Sequence, residues 1–241
     1  MEMTDLIASL ITLTILEIVL GIDNLVFLSI ISQKLPVHKQ KKARQIGLTM
    51  AWMMRLALLA SAIWITKLSK PILLIFDLAF SGRDIFLIMG GLFLMYKATQ
   101  EIHLELEMKE LKKSKQTVKP VTFHSVVTQI AILDIVFSLD SVLTAIGLTQ
   151  QFWLMATAIS IAIMAMVFAS EPLSRFIHRN PTIKMLALSF LMLIGTILIA
   201  DGFQFHIPRG YIYFAMGFSF FTESLNIVRR KRRRKFKKTM I

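Results

Sequence analysis

The sequence predicts an all-α membrane protein of about seven transmembrane helices, arranged as two inverted three-helix repeats plus a final helix. Three observations carry this. Apolar residues lie in blocks long enough to cross a bilayer, basic residues gather in alternate loops, and an eight-residue motif recurs 117 positions later with both of its acids in place.

The blocks come first. Hydrophobic residues make up 55% of the 241, and the mean hydropathy is +0.65, against about 45–50% apolar in soluble chains. A helix needs about 20 apolar residues to cross a hydrocarbon layer of about 30 Å. Seven stretches qualify or nearly so: Leu6–Ile31, Gln45–Ile65, Ile85–Ala98, Phe123–Leu148, Phe152–Ser170, Ile183–Ala200 and Ile207–Leu225. The third is short. Before it, the apolar run Pro71–Phe80 is cut off by Ser81-Gly82-Arg83-Asp84, so either a helix breaks there or a re-entrant segment precedes a helix that continues past Lys97. The first thirty residues read as a span and not as a signal peptide. They open on Glu2 and Asp5, and acids interrupt the apolar run at Glu17 and Asp23.

Charge then orients the spans. Lys34, Lys39, Lys41, Lys42 and Arg44 follow the first span, the third to fourth connection is lysine-rich, and Arg175, Arg179 and Lys184 follow the fifth. With nine Lys/Arg between Arg229 and Ile241, that side collects 23 of the 28 basic residues; Lys67, Lys70, Arg83 and Arg209 lie on the other. Basic loops stay cytoplasmic, so the N-terminus is outside and the C-terminus inside. The tail accounts for nine of the net +13; directly after an apolar segment it reads as a topogenic anchor, not a nucleic-acid site. The organisation is a first repeat over 1–98, a cytoplasmic linker over 99–122 with a solvated helical start, a second repeat over 123–200, a seventh helix over 201–228 and a basic cytoplasmic tail over 229–241.

The repeat itself is Glu17-Ile18-Val19-Leu20-Gly21-Ile22-Asp23-Asn24 against Asp134-Ile135-Val136-Phe137-Ser138-Leu139-Asp140-Ser141. Each copy opens a group of three helices. The first runs outside to inside and the second inside to outside, which is the pattern of transporters whose site lies near the midplane between inverted repeats.

Those acids are the candidate chemistry. Glu17 and Asp134 fall near the middle of their spans, with Asp23 and Asp140 about two turns further along. An acid at a helix centre costs about 2.5–3.5 kcal/mol to insert, so four cost on the order of 10 kcal/mol and are functional candidates by default. Residues seven apart share a helix face; Glu17 therefore aligns with Asn24, and Asp134 with Ser141, while Asp23 points aside. Gly21 and Ser138 stand where local unwinding is cheapest. With Asn24 and Ser141 the set Glu17, Asp23, Asn24, Asp134, Asp140 and Ser141 offers oxygen ligands alone, suited to Mg²⁺, Ca²⁺ or Mn²⁺. Two other readings stand beside a cation site: a proton relay, and structural pairing with Arg55, a basic residue inside the second span that can neutralise Glu17 or Asp23. A single ion shared by Glu17 and Asp134 is the sharpest form of the first.

Other features narrow the field. There is no cysteine, hence no disulfide or thiolate site. His38, His103, His124, His178 and His206 lie in loops or at helix ends, and the 15 methionines are spread as core filler. The acids Asp77, Asp84, Glu171, Asp201 and Glu223 sit near span ends, where charge is cheap. With no histidine base in the spans and no nucleotide-binding motif, the chain reads as a non-enzyme with no catalytic or cofactor-binding residues and no resident cofactor.

The sequence resembles the TerC family of membrane proteins, within a wider group of ion exporters related to LysE. The residues that carry the resemblance are Glu17 to Asn24, Gly82-Arg83-Asp84 with Gly90-Gly91-Leu92-Phe93-Leu94, Asp134 to Ser141, and Ile207-Pro208-Arg209-Gly210-Tyr211-Ile212-Tyr213-Phe214. The resemblance implies seven helices in the inner (plasma) membrane, an association with tellurium resistance, and manganese export in some members; others are linked to membrane-protein assembly. Its acidic motif maps onto Glu17, Asp23, Asn24, Asp134, Asp140 and Ser141 as the metal-binding set. The expected partners are the lipid bilayer, the divalent cation as substrate and, in some arrangements, further copies of the chain. The alternative it leaves open is a scaffold or assembly factor with a structural polar core.

Overall fold

In the computed structural model, residues 3–61, 71–75, 78–111, 121–148 and 151–239 are described; for 71–75, 78–79, 108–111, 139–141, 143–148, 209 and 231–239 the description is of the backbone. Among the described residues seven helices follow one another: α1 (Met3–Ser32), α2 (Val37–Ala60), α3 (Gly82–Leu111), α4 (Phe123–Leu148), α5 (Phe152–Arg179), α6 (Pro181–Gly202) and α7 (Arg209–Thr239). Four are long and apolar enough to cross a membrane on their own: α1, the Gly82–Glu107 part of α3, α5 and α6; Phe123–Ser138 of α4 is apolar over a shorter length. The chain is an all-α membrane protein.

Helix α1 shows how the sequence selects its environments. Leu13, Glu17, Gly21 and Leu25 recur every four residues and are buried, whereas Ile7, Ile11, Ile15, Val19 and Ile22 are exposed on the other side. An apolar stripe turned outward is the reverse of a soluble helix and fits a lipid-facing surface. Glu17 belongs to the inward stripe. Gly21 does not loosen the helix, which is continuous through it. A Cβ there would stand 2.7 Å from the Met166 thioether, so the glycine is needed for close packing against α5. Likewise α4 continues through Ser138. The unwinding expected at both positions is absent.

The described residues of the Pro71–Phe80 stretch are strand and not helix. They contribute to a two-stranded antiparallel hairpin, β1 (Pro71–Ile75) with β2 (Leu78–Ser81), with an irregularity between Pro71 and Leu73. Ten residues make only about 15 Å of helix, whereas paired strands satisfy their own backbone groups locally. Ser81 and Asp84 then start α3 as a reciprocal cap. The Asp84 N–H donates to Ser81 Oγ at 3.2 Å, and the Ser81 N–H donates to Asp84 Oδ2 at 2.9 Å. Asp84 is thus a buried capping residue, not an interface acid. As expected, α3 continues past Lys97, but its extension is not fully solvated: Glu101 is buried against Lys34, and Glu105 pairs with Lys184.

The most extensive helix contacts are α3 on α6, α1 on α5, and α2 on both α4 and α5, with a smaller α1–α4 contact. Exchanging α1, α2 and α3 with α4, α5 and α6 maps each of these contacts onto another or onto itself. The α3–α6 crossing is made by small residues. A Cβ on Gly91 would lie 2.5 Å from the Gly195 carbonyl oxygen, and one on Gly195 would lie 2.8 Å from that of Gly91, so the backbones meet directly. Helix α7 lies at the periphery against α6, with Tyr211, Phe214, Phe218 and Phe221 exposed, and continues as one helix into the basic tail.

Candidate functional site

The inward stripe of α1 meets α2 and α4 at a cluster of charged residues deep in the bundle. Glu17 and Arg55 are each 2% exposed and Asp134 is 6% exposed. Arg55 Nη1 donates to Glu17 Oε2 at 2.8 Å, and Arg55 Nη2 donates to Asp134 Oδ1 at 3.3 Å. The guanidinium therefore joins two carboxylates 117 residues apart in sequence. Two further donors complete Asp134: Asn24 Nδ2 to Oδ1 at 3.2 Å, and Ser138 Oγ to Oδ2 at 3.0 Å.

Not every group is satisfied. Glu17 Oε1, Asn24 Oδ1, Arg55 Nε and, one turn away, Thr14 Oγ1 are buried without a hydrogen-bond partner. A buried polar atom without a partner costs about 1–3 kcal/mol, so such atoms call for a ligand or water. A cavity of about 20 Å³ adjoins two of these residues, Asn24 and Arg55, and is lined also by Asp134 and by apolar side chains including Phe27, Leu48 and Phe137. That is room for a single water or a bare ion. With its acids ionised, the cluster carries two negative charges and one positive.

The predicted residues divide into three groups. Glu17, Asn24 and Asp134 converge, as the seven-residue spacing of Glu17 and Asn24 requires. Asp23 does point aside. It lines a separate chamber of about 430 Å³ between α1, α5, α6 and α7, whose walls include Val26, Phe176, Phe190 and Phe220, and among the described residues it has no polar partner. Asp140 and Ser141 lie in α4, but their side chains are outside the described residues. Among the described residues, no three of His, Cys, Asp and Glu come together as a ready-made metal centre.

Two residues have larger roles here than their sequence positions suggested. Arg55 pairs with Glu17, one of the two acids expected for it, and in addition reaches Asp134. Ser138 was read as a helix loosener and instead holds Asp134; the signal was its position four residues on, where side chains on a helix meet.

The comparisons with known proteins agree with this architecture. The model of the integral membrane protein TerC family matches residues 2–238. The chain is 50% identical over 221 residues to the UPF0053 inner membrane protein YgdQ of Escherichia coli (strain K12), covering 92% of both chains. It is 49% identical over 224 residues to the UPF0053 inner membrane protein YoaE of the same strain, covering 93% of this chain and 43% of that one. It is 48% identical over 229 residues to the UPF0053 protein YegH, covering 95% of this chain and 43% of that one. No solved structure gives a significant match. A match over almost the full length, together with relatives at half identity, places this chain in the TerC family of integral membrane proteins.

Proposed function

We propose that this protein is a secondary transporter that exports a divalent metal cation, manganese being the ion that the family resemblance favours, by alternating access between two inverted three-helix repeats. One observation carries the reading: Glu17 of α1 and Asp134 of α4 converge on one buried point beside unpaired acceptor oxygens and a cavity of single-ion size. The exchange-invariant helix packing supports the two-repeat organisation. Glu17, Asp134 and Asn24 are the central ligands in this reading.

Asp23 and Asp140 follow six residues later on helices of opposite direction, which puts them about 9 Å along their axes toward opposite faces of the membrane. They serve as stations on the inner and outer sides of the centre, Ser141 helping at the outer one. Basic loops place the N-terminus outside. With no nucleotide-binding motif among its residues, the chain is driven by the membrane potential or a proton gradient.

The decisive experiment is manganese flux in sealed vesicles. Wild type moves Mn²⁺; Glu17→Gln and Asp134→Asn, inserted at similar levels, do not. Equal flux through the variants would overturn the reading. Orientation is tested with single cysteines at Thr4 and Thr239 in this cysteine-free chain and an impermeant reagent: position 4 labels in intact cells and position 239 does not.

A second reading has an observation in its favour. Arg55 pairs with both central acids, as the polar core of a scaffold or assembly factor would need. Whole-cell manganese separates the two, since a scaffold leaves it unchanged.

A further inference from the structure

The position of Arg55 is unusual for a counter-ion that only holds a bundle together. Its two terminal nitrogens reach one carboxylate from each half of the chain, at 2.8 Å and 3.3 Å. The guanidinium therefore stands between the acids, in the place that a cation shared by both would take. Nor is it a saturated fit. Arg55 Nε has no acceptor, while Glu17 Oε1 and Asn24 Oδ1 have no donor, so donor and acceptors are left over in the same cluster. A guanidinium has five donors in a rigid plane; here Nη1 and Nη2 serve the two carboxylates, and Nε does not reach the remaining oxygens. The small cavity next to it is lined by the same Asn24, Arg55 and Asp134.

The charges favour one class of competitor. Two ionised carboxylates against one guanidinium leave a deficit of one positive charge. A monovalent ion offers the acids no more charge than Arg55 already does, and it forfeits directed hydrogen bonds. In the place of Arg55, a divalent ion neutralises both acids at once and can take the spare oxygens as ligands, with the guanidinium displaced from between them.

We propose that Arg55 is a tethered competitor for the transported ion: a built-in cation that occupies the shared position between Glu17 and Asp134 and yields it only to a divalent cation. This rests on the divalent-cation reading above and gives that reading a selectivity rule. Arg55 rejects Na⁺ and K⁺, and it keeps the acids neutralised as the empty carrier returns. The two acids are then never left facing each other without a cation between them.

The test is direct binding to the purified full chain, with Mn²⁺ as probe and excess NaCl as challenger, alongside vesicle flux. Removing the competitor should strengthen binding. Arg55→Gln is expected to bind Mn²⁺ about tenfold more tightly than wild type, and NaCl should weaken that binding in the variant but not in wild type. Glu17→Gln combined with Arg55→Gln should fall back to the wild-type level or below. If Arg55→Gln does not accumulate, Arg55→Lys takes its place. Its compact ammonium lacks the planar fork that spans both acids, so a smaller gain, about threefold, is expected. Binding by these variants equal to or weaker than wild type would show that Arg55 builds the site instead of blocking it, and the proposal falls. Should wild-type vesicles still move Mn²⁺ in that case, the transport reading stands without it. Tight binding by Arg55→Gln with no flux through wild type would keep Arg55 as a competitor and remove the transport reading.

Discussion

Two sets of ion pairs hold this molecule, and they differ in what surrounds them. At one end of the bundle, Lys34 meets Glu101 and Lys184 meets Glu105, tying the extension of α3 to the end of α1 and the start of α6. Both lysines keep contact with solvent, at 22% and 18% exposure. At the centre, Arg55 and Glu17 are each 2% exposed, and one cation serves two acids. The peripheral pairs are partly buried and one-to-one. The central cluster is deeply buried and unbalanced, so every change in its charge must be met by another. The same chemistry fastens the bundle in the first place and, in the transport reading, would answer to a cation in the second.

Breaking that comparison at its centre should give the largest effect. Arg55→Leu strands two buried carboxylates, and removing one partner of a buried pair typically costs about 3–5 kcal/mol; thermal unfolding of the purified protein should show it. The triple change Glu17→Gln, Arg55→Leu, Asp134→Asn removes all three charges together. It should restore stability to near wild type while Mn²⁺ flux stays absent. If it does not, the cluster is needed for the fold, and its role in transport is in doubt.

Glu17→Gln alone should be milder for the fold, because Arg55 retains Asp134. A loss of about 1.5–3 kcal/mol, the range for a hydrogen bond to a charged group, is expected in the same unfolding assay.

The α3–α6 crossing supplies a comparison that involves no charge. Gly91→Ala drives a methyl toward the Gly195 carbonyl oxygen, which is 2.5 Å from the ideal Cβ. Overpacking of this kind costs about 1–3 kcal/mol and should lower the midpoint of unfolding. At the periphery, Lys184→Ala should cost only about 0.2–1 kcal/mol, in a manner that added salt reduces further in the wild type. A peripheral effect as large as the central one would erase the distinction between the two sets of pairs.

Much of this was written in the chain before it folded. Long apolar blocks fix the helices, because an unpaired backbone cannot be left in hydrocarbon. The four-residue recurrence of Leu13, Glu17, Gly21 and Leu25 commits Glu17 to the interior, and the seven-residue spacing brings Asn24 to the same face. Helical periodicity is local, so sequence alone carries it. The same periodicity turns Asp23 aside, into a different chamber from the motif it belongs to.

What only the tertiary structure decided is which helix faces meet. Arg55 could have neutralised any nearby acid, and the packing of α2 against α4 gives it Asp134 together with Glu17. The role of Gly21 as a seat for Met166 depends on a neighbour 145 residues away. The hairpin at Pro71–Ser81 also became clear only in three dimensions, because a short apolar run is compatible with helix or strand until its backbone partners are known. Periodicity sets the direction a side chain points, but the partner it finds there depends on contacts between segments far apart in sequence, which no local pattern encodes.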